Sequence, residues 1–338
     1  MKNVEQLFEV MTNPSNRLIE DIKKIDGDIM LLGAGGKVGA TVAIAAKRAM
    51  DAAGLNHRVI AVSLFDYQNS PVLMQNAGVE VIEADLFDES QVEKLPPVKN
   101  IIYLVGKKFG TTGNISHTWA VNVILPITIA KHFTNSNIVM FSTGNVYGMR
   151  DITSGGAVEN SILDPVGEYA RTCVGRERVM EYYSIKDGTP MLFFRLNYAV
   201  DMRYGVLHDI AAAVFNGRPI DLSVGYFNCI WQGDVAEFAI RSLLHCTTPP
   251  AALNISGPEA ISVKWVALEF GCIFKKEVAF IGETPESALF SNTTKANKLF
   301  GYPSVTLSEM IDETAEWCIN GGEVIAAPTH FEERSGKY

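Results

Sequence analysis

The chain has 338 residues, 47% hydrophobic and 20% charged, with a formal net charge of −9. That is ample apolar material for one large α/β domain with a smaller partner. The acidic balance argues against a nucleic-acid or anionic-membrane surface, since both reward clustered Lys and Arg, but leaves room for a small anionic ligand held locally.

Residues 2–25 suggest two short helices, the second opening at Pro14-Ser15 with apolar Leu18, Ile19, Ile22 and Ile25. They read as an N-terminal extension, 1–27, packed on the outside. No apolar core of signal-peptide type follows the N-terminus, and no run approaches the roughly 20 residues that span a bilayer. "DIMLLGAGGKVG" then gives an apolar run broken by glycines, followed by an Ala-rich helix that stops at Gly54. "RVIAVSLF", "GVEVIEADL" and "NIIYLVG" read as three further strands. A long helix, "SHTWAVNVILPITIAKHF", leads to "NIVMFS", and a helix containing "GEYARTCVGRER" leads to "PMLFFRL".

Six short β-rich runs alternating with helices predict an α/β doubly wound Rossmann fold, a parallel sheet covered on both faces. After residue 196 the segments shorten, and turn-rich stretches such as "TTPPAALNISGPEA" act as connectors. The expected division is a dinucleotide-binding domain over 28–195, with 229–248 returning to it, and a smaller α/β substrate domain over 196–338. The tail "PTHFEERSGKY" is expected to dock on the domain.

Five cysteines, at 173, 229, 246, 272 and 318, show no metal-ligand spacing and fit a reducing cytoplasm. His57, His117, His132, His208, His245 and His330 show no clustering, so no metal is expected.

"GAGGKVG" places Gly33, Gly36 and Gly39 between a strand and a helix. Gly33 permits the tight turn, Gly36 lets backbone approach a pyrophosphate, and Gly39 allows close helix–strand packing. The helix start at Lys37, Val38 and Gly39 supplies N–H groups for phosphates. Where an acid commonly binds the ribose 2′-OH, this chain has Ser63, with Asp66 three residues on and no Arg to clamp a 2′-phosphate. NAD and NADP both remain open, NAD slightly favoured.

With these pieces in order, residues 28–320 resemble the extended short-chain dehydrogenase/reductase family of NAD-dependent epimerases and dehydratases. The likeness rests on "GAGGKVG", "GVEVIEADL", "IIYLVG", "WAVNV", "VMFSTGNVYG", "EYARTC", "FFRLN", "WQGDVAEFA", "LNISGPEAISV" and "TTKANKLFGY". The resemblance implies that Asp85 and Leu86 meet adenine, and that Val105, Gly106, Lys107 and Asn122 border the cofactor. It implies that Tyr169 is the acid/base, with Thr143 and Ser142 on the reacting oxygen and Lys108 near cofactor and substrate phosphates. Thr143, Asn145 and Asn197 are then the substrate-side candidates. A sugar-like substrate and a homodimer follow by the same analogy.

One departure matters. The family's Tyr-x-x-x-Lys is here Tyr169-Ala-Arg-Thr-Cys173. A phenol at its unperturbed pKa of about 10 is only about 0.1% ionised at pH 7, and a nearby cation brings it toward working range. Arg171 faces away and Arg176 stands two turns off, so Lys107 or Lys108, on the loop after the fourth strand, is the expected substitute. The alternative is a dinucleotide-binding sensor or scaffold that has lost turnover with its lysine.

Overall fold

A computed structural model describes residues 1–65, 70–110, 113–325 and 329–337. Asp66, Pro328 and Tyr338 lie outside the described residues. The six β-rich runs form β1 (Ile29–Leu32), β2 (Val59–Ser63), β3 (Glu80–Glu83), β4 (Asn100–Tyr103), β5 (Asn137–Thr143) and β6 (Met191–Leu196). The sheet has one strand more than the sequence suggests. β7 (Ala251–Ile255) lies parallel to β6 with Leu253 opposite Phe194, giving the order β7-β6-β5-β4-β1-β2-β3. Its five residues sit between a Pro pair and a Ser-Gly-Pro turn, so the run reads as connector; the strand forms because β6 offers it a free edge.

Side chains along β1 show why the sheet is covered on both sides. Ile29 and Leu31 enter a core with helix Gly39–Ala52 and helix Gln232–Arg241. Met30 and Leu32 enter the opposite core, with Leu125 and Ile129 from the 115–132 helical segment and Met180 from helix Gly167–Asp187. A third core gathers the helices Val206–Phe215, Val263–Phe274 and Leu307–Ile319.

The N-terminal helices, Val4–Thr12 and Asn16–Ile22, are capped by the side chains of Asn3 and Ser15. Leu18 and Ile22 join the first core, while Leu7 and Met11 join the third. The extension therefore pins two cores together, where the sequence suggests only external packing.

The 115–132 segment is not one regular helix. Ile115–Trp119 and Leu125–His132 flank a π-helical turn, Ala120–Ile124, that carries Asn122. Gly175 faces this turn: a Cβ there would come within 3.1 Å of Val123 Cγ2. The helix is thin at this point to admit a neighbouring side chain. Among the described residues no helix is long and apolar enough to cross a membrane.

Candidate active site

The glycine loop joins β1 to the helix Gly39–Ala52 at the carboxyl end of the sheet, where parallel α/β sheets bind ligands. Gly33 has φ +86°, and a Cβ there would sit 2.7 Å from Val105 Cγ2. A Cβ on Gly39 would overlap the carbonyl of Ala34, and one on Gly35 would press Ser63 Oγ at 2.8 Å. Gly36 differs: the nearest atom to its Cβ position is Gly33 O at 3.7 Å, so this face is open. No side chain caps the following 14-residue helix. An open backbone face, uncapped N–H groups and the ammonium of Lys37 form a donor set that fits the phosphates of a dinucleotide.

Lys37 is built into this mouth more tightly than its position suggests. Its Nζ lies 2.8 Å from the centroid of the Tyr204 ring and 5.6 Å from that of Phe109. Lys108 approaches the same Phe109 ring at 5.2 Å. Loss of hydration and the charge of Lys108 pull Lys37 down to about 7, and burial pulls Lys108 to about 8 against the attraction of Cys173 and Glu332.

Tyr169 stands in the first turn of helix Gly167–Asp187, and Thr143 ends β5. The Tyr169 hydroxyl is hydrogen-bonded to both Thr143 and Cys173. Thr143 Oγ1 also accepts the Asn145 N–H and lies 3.2 Å from Asn145 Oδ1. Burial pushes the Tyr169 phenol well above its ordinary value and Cys173 adds to this, while Arg176 and Thr143 oppose it. Cys173 is fully buried and its thiol is pushed up for the same reason.

A second cation beside the lysines of the sequence expectation acts on this pair. Arg176, only 3% exposed, donates from Nη1 to the Val105 carbonyl at 2.7 Å and from Nη2 to Cys173 Sγ at 3.5 Å. Side chains on a helix lean toward its N-terminus, so a long Arg reaches back over the turn that its Cα position seems to forbid. Lys107 is held by its backbone: Asn122 Oδ1 accepts its N–H and Asn122 Nδ2 donates to its carbonyl. Asn122 Nδ2 also reaches Thr172 Oγ1, tying the loop after β4 to the Tyr169 helix.

Two sequence candidates are engaged elsewhere. Ser142 Oγ donates to Glu177 Oε1 at 2.6 Å, and Glu177 makes a two-pronged pair with Arg195. Asn197 Nδ2 donates to Asn228 Oδ1 and to the Leu289 carbonyl. Both side chains are thus engaged in hydrogen bonds within the protein. On the adenosine side, Ser63 lies against the loop at Gly35, and Leu86 is buried. Asp85 Oδ1 accepts the Phe87 N–H, which shapes the turn.

The described tail, 329–337, crosses this mouth. The Thr329 N–H and hydroxyl donate to Asp209, the His330 ring sits 5.9 Å from Phe109, and Arg334 donates to Ser287 and Ser223. Gly336 packs directly on Gly167, at the start of the Tyr169 helix. A surface hollow of about 650 Å³ near Lys47, His57 and Glu80 lies at the opposite end of β2 and β3 and is remote from this chemistry. Among the described residues no group of three or more His, Cys, Asp or Glu is placed to hold a metal ion.

The fold is a Rossmann α/β fold of the kind found in sugar-nucleotide epimerases and dehydratases. The UDP-glucuronic acid 4-epimerase of Bacillus cereus, solved with NAD, superposes with a TM-score of 0.71 at 16% identity, over 86% of this chain and 98% of that one. The UDP-glucose 4-epimerase of Thermotoga maritima, solved with UDP-glucose, gives 0.70 at 17% identity, over 87% and 99%. The dTDP-glucose 4,6-dehydratase of Streptomyces venezuelae, with NAD bound, gives 0.70 at 17%, over 86% and 96%. No protein-family model and no curated protein matches the chain.

Proposed function

We propose that the chain is an NAD(P)-dependent enzyme of the extended short-chain dehydrogenase type, an epimerase, dehydratase or reductase acting on a sugar or sugar nucleotide. The observation that carries this is the Tyr169–Thr143 pair beside an open Gly36 face at the carboxyl end of a Rossmann sheet. Residues 28–195, with 229–248 returning and β7 added, would form the cofactor side, and the remainder after 196 the substrate side. NAD is favoured over NADP by the NAD bound in several neighbours, Ser63 suiting either.

The nicotinamide, when bound, accepts a hydride from a substrate carbon and can return it. Tyr169 holds the proton of the reacting oxygen, and Thr143 shares that oxygen by hydrogen bonding. With its phenol pushed up, Tyr169 rests neutral at pH 7 and is poised to donate a proton to a carbonyl being reduced. Asn122 fixes the loop after β4, which would border the nicotinamide, and Lys37 with Lys108 would hold the phosphates.

The test is direct. Purified protein given NAD and UDP-glucose should show either a transient nicotinamide absorbance change in a single turnover or an altered sugar product; binding of NAD with neither supports the sensor or scaffold reading, which Cys173 favours.

Because Lys37 and Lys108 are pulled to about 7 and about 8, a bound phosphate should restore their protons. NAD should therefore bind more tightly as pH falls from 9 to 6, with net proton uptake. Calorimetry in two buffers of different ionisation heat checks this; proton release would contradict it.

A homodimer and a cytoplasmic setting belong to the same reading. Ile115, Ile124, Tyr182 and Ile185 stand exposed on the two helical segments covering one sheet face, an apolar surface suited to a second copy. A 37.0 kDa species in sedimentation would count against the dimer.

A further inference from the structure

We propose that Arg176, acting through Cys173, supplies the positive charge that a lysine at position 173 would otherwise bring to Tyr169. The proposal rests on the reading of Tyr169 as the acid–base group. Its basis is a contrast among buried arginines. Arg195 is paired with Glu177 and Arg203 with Asp201, as burial of a guanidinium ordinarily demands. Arg176 is equally buried, yet no ion pair to a carboxylate is formed by it among the described residues. Its partners are a carbonyl and a sulfur, and its Nε is buried with no hydrogen-bond partner at all. A guanidinium without a direct ion pair, with the Glu177 carboxylate acting on it only from beyond contact, projects its field onto neighbours, here the thiol and the phenol.

The site is shaped to hold it. Nη1 would lie 2.9 Å from a Cβ on Gly106, so the guanidinium packs directly against the backbone of the loop after β4 and a side chain there would push it aside. The sulfur of Cys173 then receives Arg176 on one side and Tyr169 on the other. A lysine ammonium in place of that thiol would meet the guanidinium head-on, so Cys at 173 and Arg at 176 are mutually consistent.

The groups facing this cluster are Tyr103 from β4, Lys108 from the following loop, Glu332 from the tail, and Cys173 and Glu177 from the same helix. Of the two cations, Lys108 sheds its proton near about 8, whereas a guanidinium stays charged throughout.

Arg176 is a positioning residue, so its test needs a readout that packing alone would not move. Tyrosinate absorbance, taken as each protein minus its Tyr169→Phe counterpart, reports the ionisation of Tyr169 and requires no turnover. Arg176→Met should move that ionisation to higher pH, and Arg176→Lys should largely preserve it. Adding Cys173→Lys to Arg176→Met should bring it back. In the NAD and UDP-glucose reaction, Arg176→Met should lower the rate about tenfold to a hundredfold, with the double variant recovering most of the loss.

An unchanged titration in Arg176→Met, or a larger displacement from Lys108→Met than from Arg176→Met, overturns the proposal. If Arg176→Met does not fold, Arg176→Gln against Arg176→Lys, with and without Cys173→Lys, decides by the same readout. A wild-type protein that shows the Arg176-dependent titration but neither a transient nicotinamide change nor an altered sugar product would retain this inference while refuting the enzymatic reading.

Discussion

Replacing Arg195 by Met should destabilise the protein by about 3–5 kcal/mol, the penalty of leaving one member of a buried ion pair alone. Its Nε and Nη2 meet the two Glu177 oxygens at 2.9 and 2.6 Å, and Nη1 donates to Tyr147 Oη and the Glu159 carbonyl. Tyr147 Oη passes on to Asn254 Oδ1, which binds β7 into the same network. The variant would strand the Glu177 carboxylate with little beyond the Ser142 hydroxyl. Urea unfolding at pH 7 checks this, with a lowered midpoint at unchanged slope. A loss below about 1 kcal/mol would mean that water already reaches the pair. Replacing both partners with apolar residues should recover much of the loss, because the stranded charge is then gone.

The largest effect on activity is expected from Tyr169→Phe, a loss of about a hundredfold to ten-thousandfold in hydride transfer with NAD binding retained. The phenol sits well above its ordinary value, chiefly through burial, so it is protonated from pH 6 to 9. Reduction of a carbonyl uses this neutral acid and should be nearly flat with pH over that range. Oxidation of an alcohol uses the phenolate and should quicken as pH rises. Stopped-flow traces in the two directions separate the cases; a Phe variant with undiminished turnover would remove Tyr169 from the chemistry.

The sheet was legible wherever a residue run was buried on both faces, because such runs are continuous in apolar side chains and bounded by glycine or polar turns. β7 escaped because its five residues lie between a Pro pair and a Ser-Gly-Pro turn, so the whole stretch reads as connector. The glycine loop was legible because steric demands at Gly33 and Gly39 admit almost no other residue. Arg176 was not, since residue spacing along a helix locates Cα atoms, whereas a guanidinium can end a full turn away from its own. The bracing role of Arg195 had a faint signal: an arginine inside "PMLFFRL" cannot be buried without a carboxylate partner. Nothing in the local sequence says that the partner is Glu177, in the helix before it.

Residues 329–337 span from Asp209, Ser223 and Ser287 to Phe109 and Gly167, mostly through hydrogen bonds and ring contacts. Phe331 adds one apolar anchor on the third core, and a segment held this lightly opens at lower free energy than the sheet it lies over. A ligand that enters beneath it cannot associate faster than the segment lifts. Its observed on-rate would then level off with concentration at the opening rate, and that plateau would be the same for every ligand taking this route.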